Sequence, residues 1–213
     1  MKTLNYYRAT ELFVLFVLMP VSFCFDYNIV IKAGLALAGF VYILVLLLRD
    51  SNRPLKINPS RAWKPFLKRM LLQLLVIAVV TTFYVYYISP ASLFCVPLSK
   101  PLLWVGILGV YTFLSVWPQE IIYRTFFFSR YQQFFKSRNL LIFVNALLFS
   151  LAHIFFRNTL VMVLTFVGGI LFAITYLATR STLLVSIEHA LYGNWLFTVG
   201  MGEMLAFPGM EAC

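Results

Sequence analysis

Charged residues are scarce in this sequence, and acidic residues and histidines are scarcer still. Only 11% of the 213 residues are charged, whereas 62% are hydrophobic, and the chain holds seven acidic residues and two histidines. An ordinary soluble domain is about a quarter charged. The composition therefore excludes a soluble globular protein and predicts one integral membrane domain, residues 1–213, in which packed helices form the core.

Several familiar sequence signals are absent as well. The three cysteines show no spacing typical of a metal or redox site, and their odd number leaves at least one unpaired. There is no HExxH motif, which excludes a zinc-protease helix of that kind, and there is no internal repeat. No small-residue cleavage site follows the first apolar run, so this run is predicted to be a retained membrane span.

Apolar runs account for most of the chain. Seven of them are candidate membrane-spanning helices, since about 20 apolar residues cross a bilayer and shorter runs can do so when their polar ends reach the interface. A further helix, amphipathic or partly embedded, is predicted to begin at Pro118. The expected fold is all-α, a polytopic bundle of about seven spans plus this helix. The seven runs lie at about residues 12–25, 33–48, 70–88, 102–117, 140–155, 159–178 and 182–199.

The formal net charge of +10 falls mainly in the segments between the apolar runs. Residues 49–69 alone hold seven basic side chains, which is typical of a cytoplasmic loop in a membrane protein. This loop predicts a cytoplasmic N terminus and an external C terminus. The same distribution argues against nucleic acid as a partner and makes the lipid bilayer the expected partner.

A few ionisable residues lie within or beside the predicted spans, where a charge costs several kcal/mol and needs a specific reason. Glu120 and Arg124 stand one helical turn apart, so they can pair, either as a structural tether at the interface or as part of a polar site. His153 lies near the end of the fifth span and His189 lies within the seventh, with Asn194 nearby. A neighbouring polar group could satisfy His153 without any catalytic role, whereas His189, about seven residues into its span, is harder to explain in this way.

One carboxylate and two imidazoles on three helices fit either of two hydrolytic designs. In the first, Glu120 takes a proton from water while His153 and His189 orient the water and stabilise the oxyanion. In the second, the same three residues bind a zinc ion that activates the water. The spacing does not choose between the two designs.

The predicted depths of these residues conflict. His153 would lie about 20 Å from the cytoplasmic face if the fifth span enters near Leu140, whereas Glu120 follows a span that ends near that face. The two residues can meet if the helix that begins at Pro118 starts inside the membrane region and lines a cavity.

Three motifs in the second half of the chain carry a family resemblance. They are QEIIYR at 119–124, FSLAH at 149–153 and HALYGN at 189–194. Their order is similar to the EExxxR, FxxxH and HxxxN pattern of the CAAX prenyl endopeptidase and bacteriocin-processing family of intramembrane proteases. The resemblance covers about residues 117–197.

This resemblance implies hydrolysis of a peptide bond, in a peptide or a membrane-protein segment, within the plasma membrane of a bacterium. It implies Glu120 as general base or metal ligand, and His153 and His189 as the groups that position and polarise the water or bind the metal. Arg124 would hold the Glu120 helix, and Asn194 would be the oxyanion donor. Zinc is the cofactor that the metal-dependent design would need, and the sequence leaves the cofactor undetermined.

Two positions depart from the family pattern. Gln119 replaces the first glutamate, to which the family assigns the activation of water, and a glutamine cannot accept a proton at neutral pH. In an active enzyme Glu120 or a metal would have to take that role. Asn194 follows His189 by five residues instead of four, with Gly193 at the expected position, which turns its side chain about 140° around the helix from His189.

Two other classes of function are open. The first is a catalytically impaired family member that binds a partner in immunity or signalling, which Gln119 favours. The second is a small proton-coupled carrier in which Glu120, His189 and Glu188 form a proton relay. Glu188 is expected to pair with Arg180 or to face a wet surface.

Overall fold

The computed structural model describes residues 2–50 and 63–205, and the regular structure in these residues is helical. It confirms the expected all-α membrane bundle. Residues 51–62, the middle of the basic loop, lie outside the described residues. Cys24 is a free thiol, as expected for at least one of the cysteines.

The helices of the described residues are numbered here in chain order. They are α1 (Lys2–Phe13, continued by a π-helical turn at Val14–Leu18 and a further turn at Met19–Ser22), α2 (Ile29–Arg49), α3 (Trp63–Ile88), α4 (Cys95–Ser99), α5 (Pro101–Phe134), α6 (Arg138–Leu151), α7 (Thr159–Thr179) and α8 (Thr182–Val199). Short 3-10 turns lie at Pro90–Ser92, Ile154–Phe156 and Glu203–Leu205.

Five of these helices, α2, α3, α5, α6 with its following turn, and α7, are long and apolar enough to cross a membrane. The predicted number of about seven spans is not confirmed. Helix α8 carries Glu188, His189 and Asn194, and these polar residues lower its hydropathy although the helix packs inside the bundle. Polar side chains within such a helix indicate a site rather than a lipid-facing surface.

The three helices after α5 begin at capping side chains. Ser137 accepts a hydrogen bond from the Leu140 amide at the start of α6, and Asn158 accepts one from the Leu160 amide, 2.9 Å away, at the start of α7. Ser181 caps α8 in the same manner. Because a cap satisfies amides that the helix itself leaves unpaired, these residues fix where each helix starts.

Helix α5 runs through Pro118 without a break, which differs from the prediction of a new helix beginning there. A π-helical turn at Tyr111–Val116 precedes the proline, and a second one occupies Ile121–Phe126. Proline has no N–H and therefore cannot make one of the backbone hydrogen bonds of an α-helix. A π-helical turn changes the hydrogen-bond pattern locally, so the helix continues past the proline. Glu120 therefore lies in the middle of a helix of 34 residues and not at its interfacial end, which removes the conflict in depth.

The C-terminal part of α5 packs against the rest of the bundle, which fits the partly embedded alternative of the prediction. Phe126, Phe127 and Tyr131 are at most 1% exposed. Phe16 of α1 packs edge-on against Tyr123 and Phe127 at ring distances of 5.2 and 5.4 Å. Helices α1 and α2 thus cover the aromatic side chains of this segment.

Helices α6 and α7 pack closely against each other. A Cβ atom on Gly169 would lie 2.9 Å from the Ala146 Cα atom, a separation too short for a larger residue. Small residues at such a crossing let two backbones approach in a membrane, where packing drives helix association. Asn145, beside this crossing, donates a hydrogen bond to the Tyr123 carbonyl, 2.7 Å away, within the second π-helical turn of α5.

Candidate active site

Glu120 is a carboxylate with no exposed surface in the middle of α5. Its Oε1 atom lies 2.7 Å from His189 Nδ1, and its Oε2 atom lies 3.4 Å from Arg124 Nε. An ionised carboxylate can only accept hydrogen bonds, so the proton of this contact belongs to His189 Nδ1. A buried charge is tolerated when it is paired and hydrogen-bonded, and these two partners provide both.

Arg124 joins three helices around this carboxylate. Its side chain is fully buried, and its Nη1 atom donates a hydrogen bond to Asn145 Oδ1, 2.9 Å away on α6. Its guanidinium carbon lies 4.7 Å from the centre of the Phe149 ring and 5.7 Å from that of Phe172 on α7. This position suits the predicted supporting role, because any shift of Arg124 would move Glu120 with it.

His189 lies within α8 and is 6% exposed. Its ring stacks on Phe172, with centroids 4.4 Å apart, and its edges meet Phe149 and Tyr111. With Nδ1 held by Glu120, the tautomer is fixed and Nε2 is the nitrogen left for chemistry. The geometry is that of an imidazole oriented by a buried carboxylate.

His153 lies in the turn that follows α6. Its Nδ1 atom is 2.8 Å from the Phe149 carbonyl oxygen, and since a carbonyl only accepts, Nδ1 carries the proton. The ring contacts Phe149 and Phe156, at centroid distances of 4.9 and 6.1 Å. Nε2 of His153 is therefore a hydrogen-bond acceptor in the neutral ring.

A cavity of about 300 Å³ brings the two histidines together. Gln119, His153 and His189 all line it, while Glu120 does not. The remaining wall is mainly apolar and comes from α3, α6, α7 and α8, with Ile77 and Leu171 as examples. The structure thus places Glu120 behind His189, so the geometry does not support Glu120 as a base that itself contacts water.

Gln119 lines the cavity, and the family pattern has a glutamate at this position. Its Nε2 atom donates a hydrogen bond to Ser115 Oγ, 2.8 Å away. Its Oε1 atom is buried and has no hydrogen-bond partner within residues 2–50 and 63–205. A buried acceptor without a partner is unusual and marks a place where a bound molecule can donate a hydrogen bond.

Asn194 points away from the cavity, as its spacing from His189 suggested. Its Nδ2 atom donates a hydrogen bond to Thr112 Oγ1, 3.1 Å away on α5. The position four residues after His189 is Gly193, and a Cβ atom there would overlap the hydroxyl of Tyr111. Tyr111 therefore fills the space that a side chain at position 193 would need.

Tyr111 is a site residue that sequence reasoning missed. It lines the cavity and packs edge-on against His189, 6.0 Å between ring centroids. No motif includes it, and the only signal in the sequence is the glycine at position 193. That glycine indicates a close approach but not which residue approaches.

The arrangement does not fit the zinc site that the sequence allowed. The described residues contain no group of three or more histidine, cysteine, aspartate or glutamate side chains placed to hold a metal ion. Glu120 is shared between Arg124 and His189, and His153 Nδ1 is held by a backbone carbonyl. A metal needs several free donors converging on one point, so no catalytic step is assigned to zinc.

Glu188 makes its own hydrogen bonds, to side chains of α7 and α8. It has no exposed surface and accepts hydrogen bonds from Tyr192, 3.1 Å away, and from Thr175, which in turn accepts one from Arg69 of α3. Pairing of Glu188 with Arg180 is wrong, because Arg180 instead donates to Gln132, 3.3 Å away. Among the described residues Glu188 therefore shares no hydrogen bond with Glu120 or His189, although its charge interacts with Arg124 and Glu120.

The fold and the site define a helical membrane protein with a carboxylate-supported histidine at an internal cavity. Residues 100–195 match the family model described as type II CAAX prenyl endopeptidase Rce1-like. This match confirms the resemblance predicted from the three motifs, and it covers the site residues from Tyr111 to Asn194. The matched family is a protease family. Comparisons with curated proteins and with solved structures found no significant match.

Proposed function

We propose that this protein is an intramembrane endopeptidase that hydrolyses a peptide bond in a peptide or in a membrane-protein segment. The family match supports a protease. The observation that carries the proposal is the 2.7 Å contact between Glu120 Oε1 and His189 Nδ1, at the wall of a cavity that His153 also lines. A histidine oriented by a buried carboxylate is a common form of general base.

In the proposed reaction, His189 Nε2 takes a proton from a water molecule in the cavity as the water oxygen attacks the peptide carbonyl carbon. The same nitrogen then gives the proton to the amine that leaves when the C–N bond breaks. Glu120 keeps the imidazole oriented and stabilises the positive charge that the ring acquires, as a buried carboxylate does in other hydrolases. Arg124 lies against the other oxygen of Glu120 and balances its charge. In this mechanism His189 is the base. Glu120 is still required for activity, because it orients His189 and stabilises its positive charge.

The other cavity groups fit the remaining steps. His153 Nε2 can accept a hydrogen bond from the attacking water, since its Nδ1 proton is held by the Phe149 carbonyl. The hydroxyl of Tyr111, above Gly193, can donate to the oxygen that becomes negative in the tetrahedral intermediate. The free oxygen of Gln119 can accept a hydrogen bond from a substrate amide.

The apolar wall favours a substrate segment with large hydrophobic side chains that enters from the lipid. We place the protein in the plasma membrane with its N terminus and the basic loop in the cytoplasm and its C terminus outside. The distribution of basic residues supports this orientation. A cysteine-labelling map of the loops would test it.

The direct test is cleavage of a panel of apolar peptides by the purified chain in a neutral detergent. We expect product from the wild type and a loss of at least about 100-fold for His189→Ala and Glu120→Gln. The matched control is Glu203→Gln, the same change at an exposed glutamate in the turn after α8, which should leave activity unchanged. Equal activity in all four proteins would contradict the proposed mechanism.

A second candidate function is binding without catalysis, in immunity or signalling. The specific observation that favours it is Gln119, an uncharged side chain at the cavity wall. Under this hypothesis the wild type cleaves no peptide, and Gln119→Glu, which adds a carboxylate beside the two histidines, gains hydrolysis. Measurable wild-type cleavage that depends on His189 would exclude this candidate.

A further inference from the structure

A second cavity, of about 390 Å³, lies at the end of the bundle where α1 begins and α2 ends. Three arginines from three helices line it: Arg8 of α1, Arg49 of α2 and Arg130 of α5. Asp50 also lines it, together with Leu46 and Leu47. No residue of this arginine pocket belongs to the candidate active site.

Arg130 is the anchored member of the three. Its Nε and Nη2 atoms donate to the two oxygens of Glu11, at 2.6 and 2.7 Å, and Tyr131 and Tyr42 donate to the same carboxylate. This bidentate pair fixes the position of Arg130 between α1 and α5. Its charge is balanced by Glu11.

Arg8 and Arg49 lack such partners. Among the described residues neither takes part in an ion pair, and the Nε atom of Arg8 is buried without a hydrogen-bond partner. Counted over the described residues alone, Asp50 and Glu11 set against the three arginines leave an excess of one positive charge. A buried guanidinium donor without an acceptor points to an anionic ligand.

The shape and charge of the pocket favour a phosphate group. Guanidinium groups bind phosphate oxygens through two parallel N–H donors, which a single ammonium cannot do. One excess positive charge matches the single negative charge of a phosphodiester. The pocket also borders the outer face of α2, where Leu48, beside Arg49, is 75% exposed.

We propose that this pocket binds the phosphodiester of an anionic phospholipid, with Arg8 and Arg49 as the binding side chains and the acyl chains along α2. The chemistry it recognises is a phosphate group, which inorganic phosphate shares. Arg49 and Asp50, which line the pocket, are the first residues of the most basic segment in the sequence, residues 49–69. Basic segments of this kind attract the anionic lipids of the cytoplasmic leaflet.

The experiment measures lipid retention by the full chain, purified in a neutral detergent and stripped of lipid. Phosphatidylglycerol or phosphatidylcholine is titrated in, and bound lipid is counted by native mass spectrometry. The test variant is Arg8→Gln with Arg49→Gln, and the matched control is Arg138→Gln, an exposed arginine at the start of α6 that does not line the pocket.

We expect wild type and Arg138→Gln to retain phosphatidylglycerol in preference to phosphatidylcholine. The double variant should bind phosphatidylglycerol about 30-fold more weakly, since each basic residue near a membrane contributes about fivefold. Arg49→Lys, which keeps the charge but loses the planar fork, should bind with intermediate strength. Because Arg49 is exposed, Arg49→Gln alone serves if the double variant does not fold, with about a fivefold loss.

Equal retention by wild type and the arginine variants would overturn the proposal. So would an equal loss in Arg138→Gln, because it would mean general surface attraction with no pocket. A parallel titration with inorganic phosphate distinguishes the source: arginine-dependent thermal stabilisation by phosphate without phosphatidylglycerol retention would support a phosphate site and reject the lipid. None of these readouts depends on peptide cleavage, so the result stands apart from the proposed protease activity.

Discussion

Replacing Glu120 by glutamine tests the central contact of the site. The change keeps the size of the side chain and removes the negative charge that His189 and Arg124 share. A glutamine oxygen can still accept the His189 proton, so the ring stays near its place, but the positive charge on the ring is no longer stabilised. We therefore expect kcat to fall about 10²- to 10⁴-fold, the range for loss of an assisted proton transfer.

The same change should also lower stability. Arg124 has no exposed surface and would lose its only ion pair among the described residues, keeping Asn145 and the rings of Phe149 and Phe172. Removing one partner of a buried pair costs about 3–5 kcal/mol. Thermal unfolding in detergent measures this loss, and activity is then compared at a temperature where both proteins are folded.

The assay is the initial rate of cleavage of a fluorogenic apolar peptide, fitted to separate kcat from KM. Because Glu120 does not line the cavity, KM should change little while kcat falls. A folded Glu120→Gln protein with kcat of the same order as the wild type would refute the proposed role. A change confined to KM would place Glu120 in substrate binding and refute it as well.

Three further changes test the packing that holds the site. Gly169→Ala should cost about 1–3 kcal/mol in thermal unfolding because its Cβ would meet the backbone of α6, whereas Gly34→Ala, with nothing within 4 Å, should be neutral. An equal loss of stability in Gly169→Ala and Gly34→Ala would refute the close packing of α6 against α7 at Gly169. Gly193→Ala should destabilise the protein by a similar amount because its Cβ would overlap Tyr111. Adding Tyr111→Ala to the same chain should relieve this overlap, so the double variant should lose less stability than the sum of the two single losses. Strictly additive losses would contradict the contact between these two residues. Asn145→Ala should cost about 2–4 kcal/mol by removing partners of buried groups on α5, and a neutral result would show that those groups find others.

The sequence predicts the membrane bundle, and it singles out the polar residues that the structure brings close together, Glu120, Arg124, His153 and His189. Glu120 and Arg124 are four residues apart on one helix, and such a pair meets wherever the helix lies. His153 and His189 are the only histidines in the chain, and each has a reason to avoid lipid. Because histidines and acidic residues are so few in this sequence, the candidate site residues are easy to identify.

The sequence does not predict which of these residues face the cavity. Gln119 and Glu120 are neighbours, about 100° apart around an ideal helix, and two π-helical turns of α5 change the rotation on either side of them. A period of 3.6 residues cannot anticipate such turns. Tyr111 over Gly193 and Asn145 at the Tyr123 carbonyl depend on contacts between distant segments, which local patterns do not encode.

The electrostatics of the bundle explain why an uncharged Gln119 is compatible with the proposed reaction. Glu120 and Arg124 form a buried ion pair in which the two charges balance each other, and an apolar surrounding favours such balance. A second carboxylate at position 119 would need a positive partner, and His153 and His189 are the only basic groups that line the cavity within the described residues. Because Glu120 lies behind His189, its carboxylate can stabilise the proton that the imidazole gains during the reaction although it does not itself line the cavity.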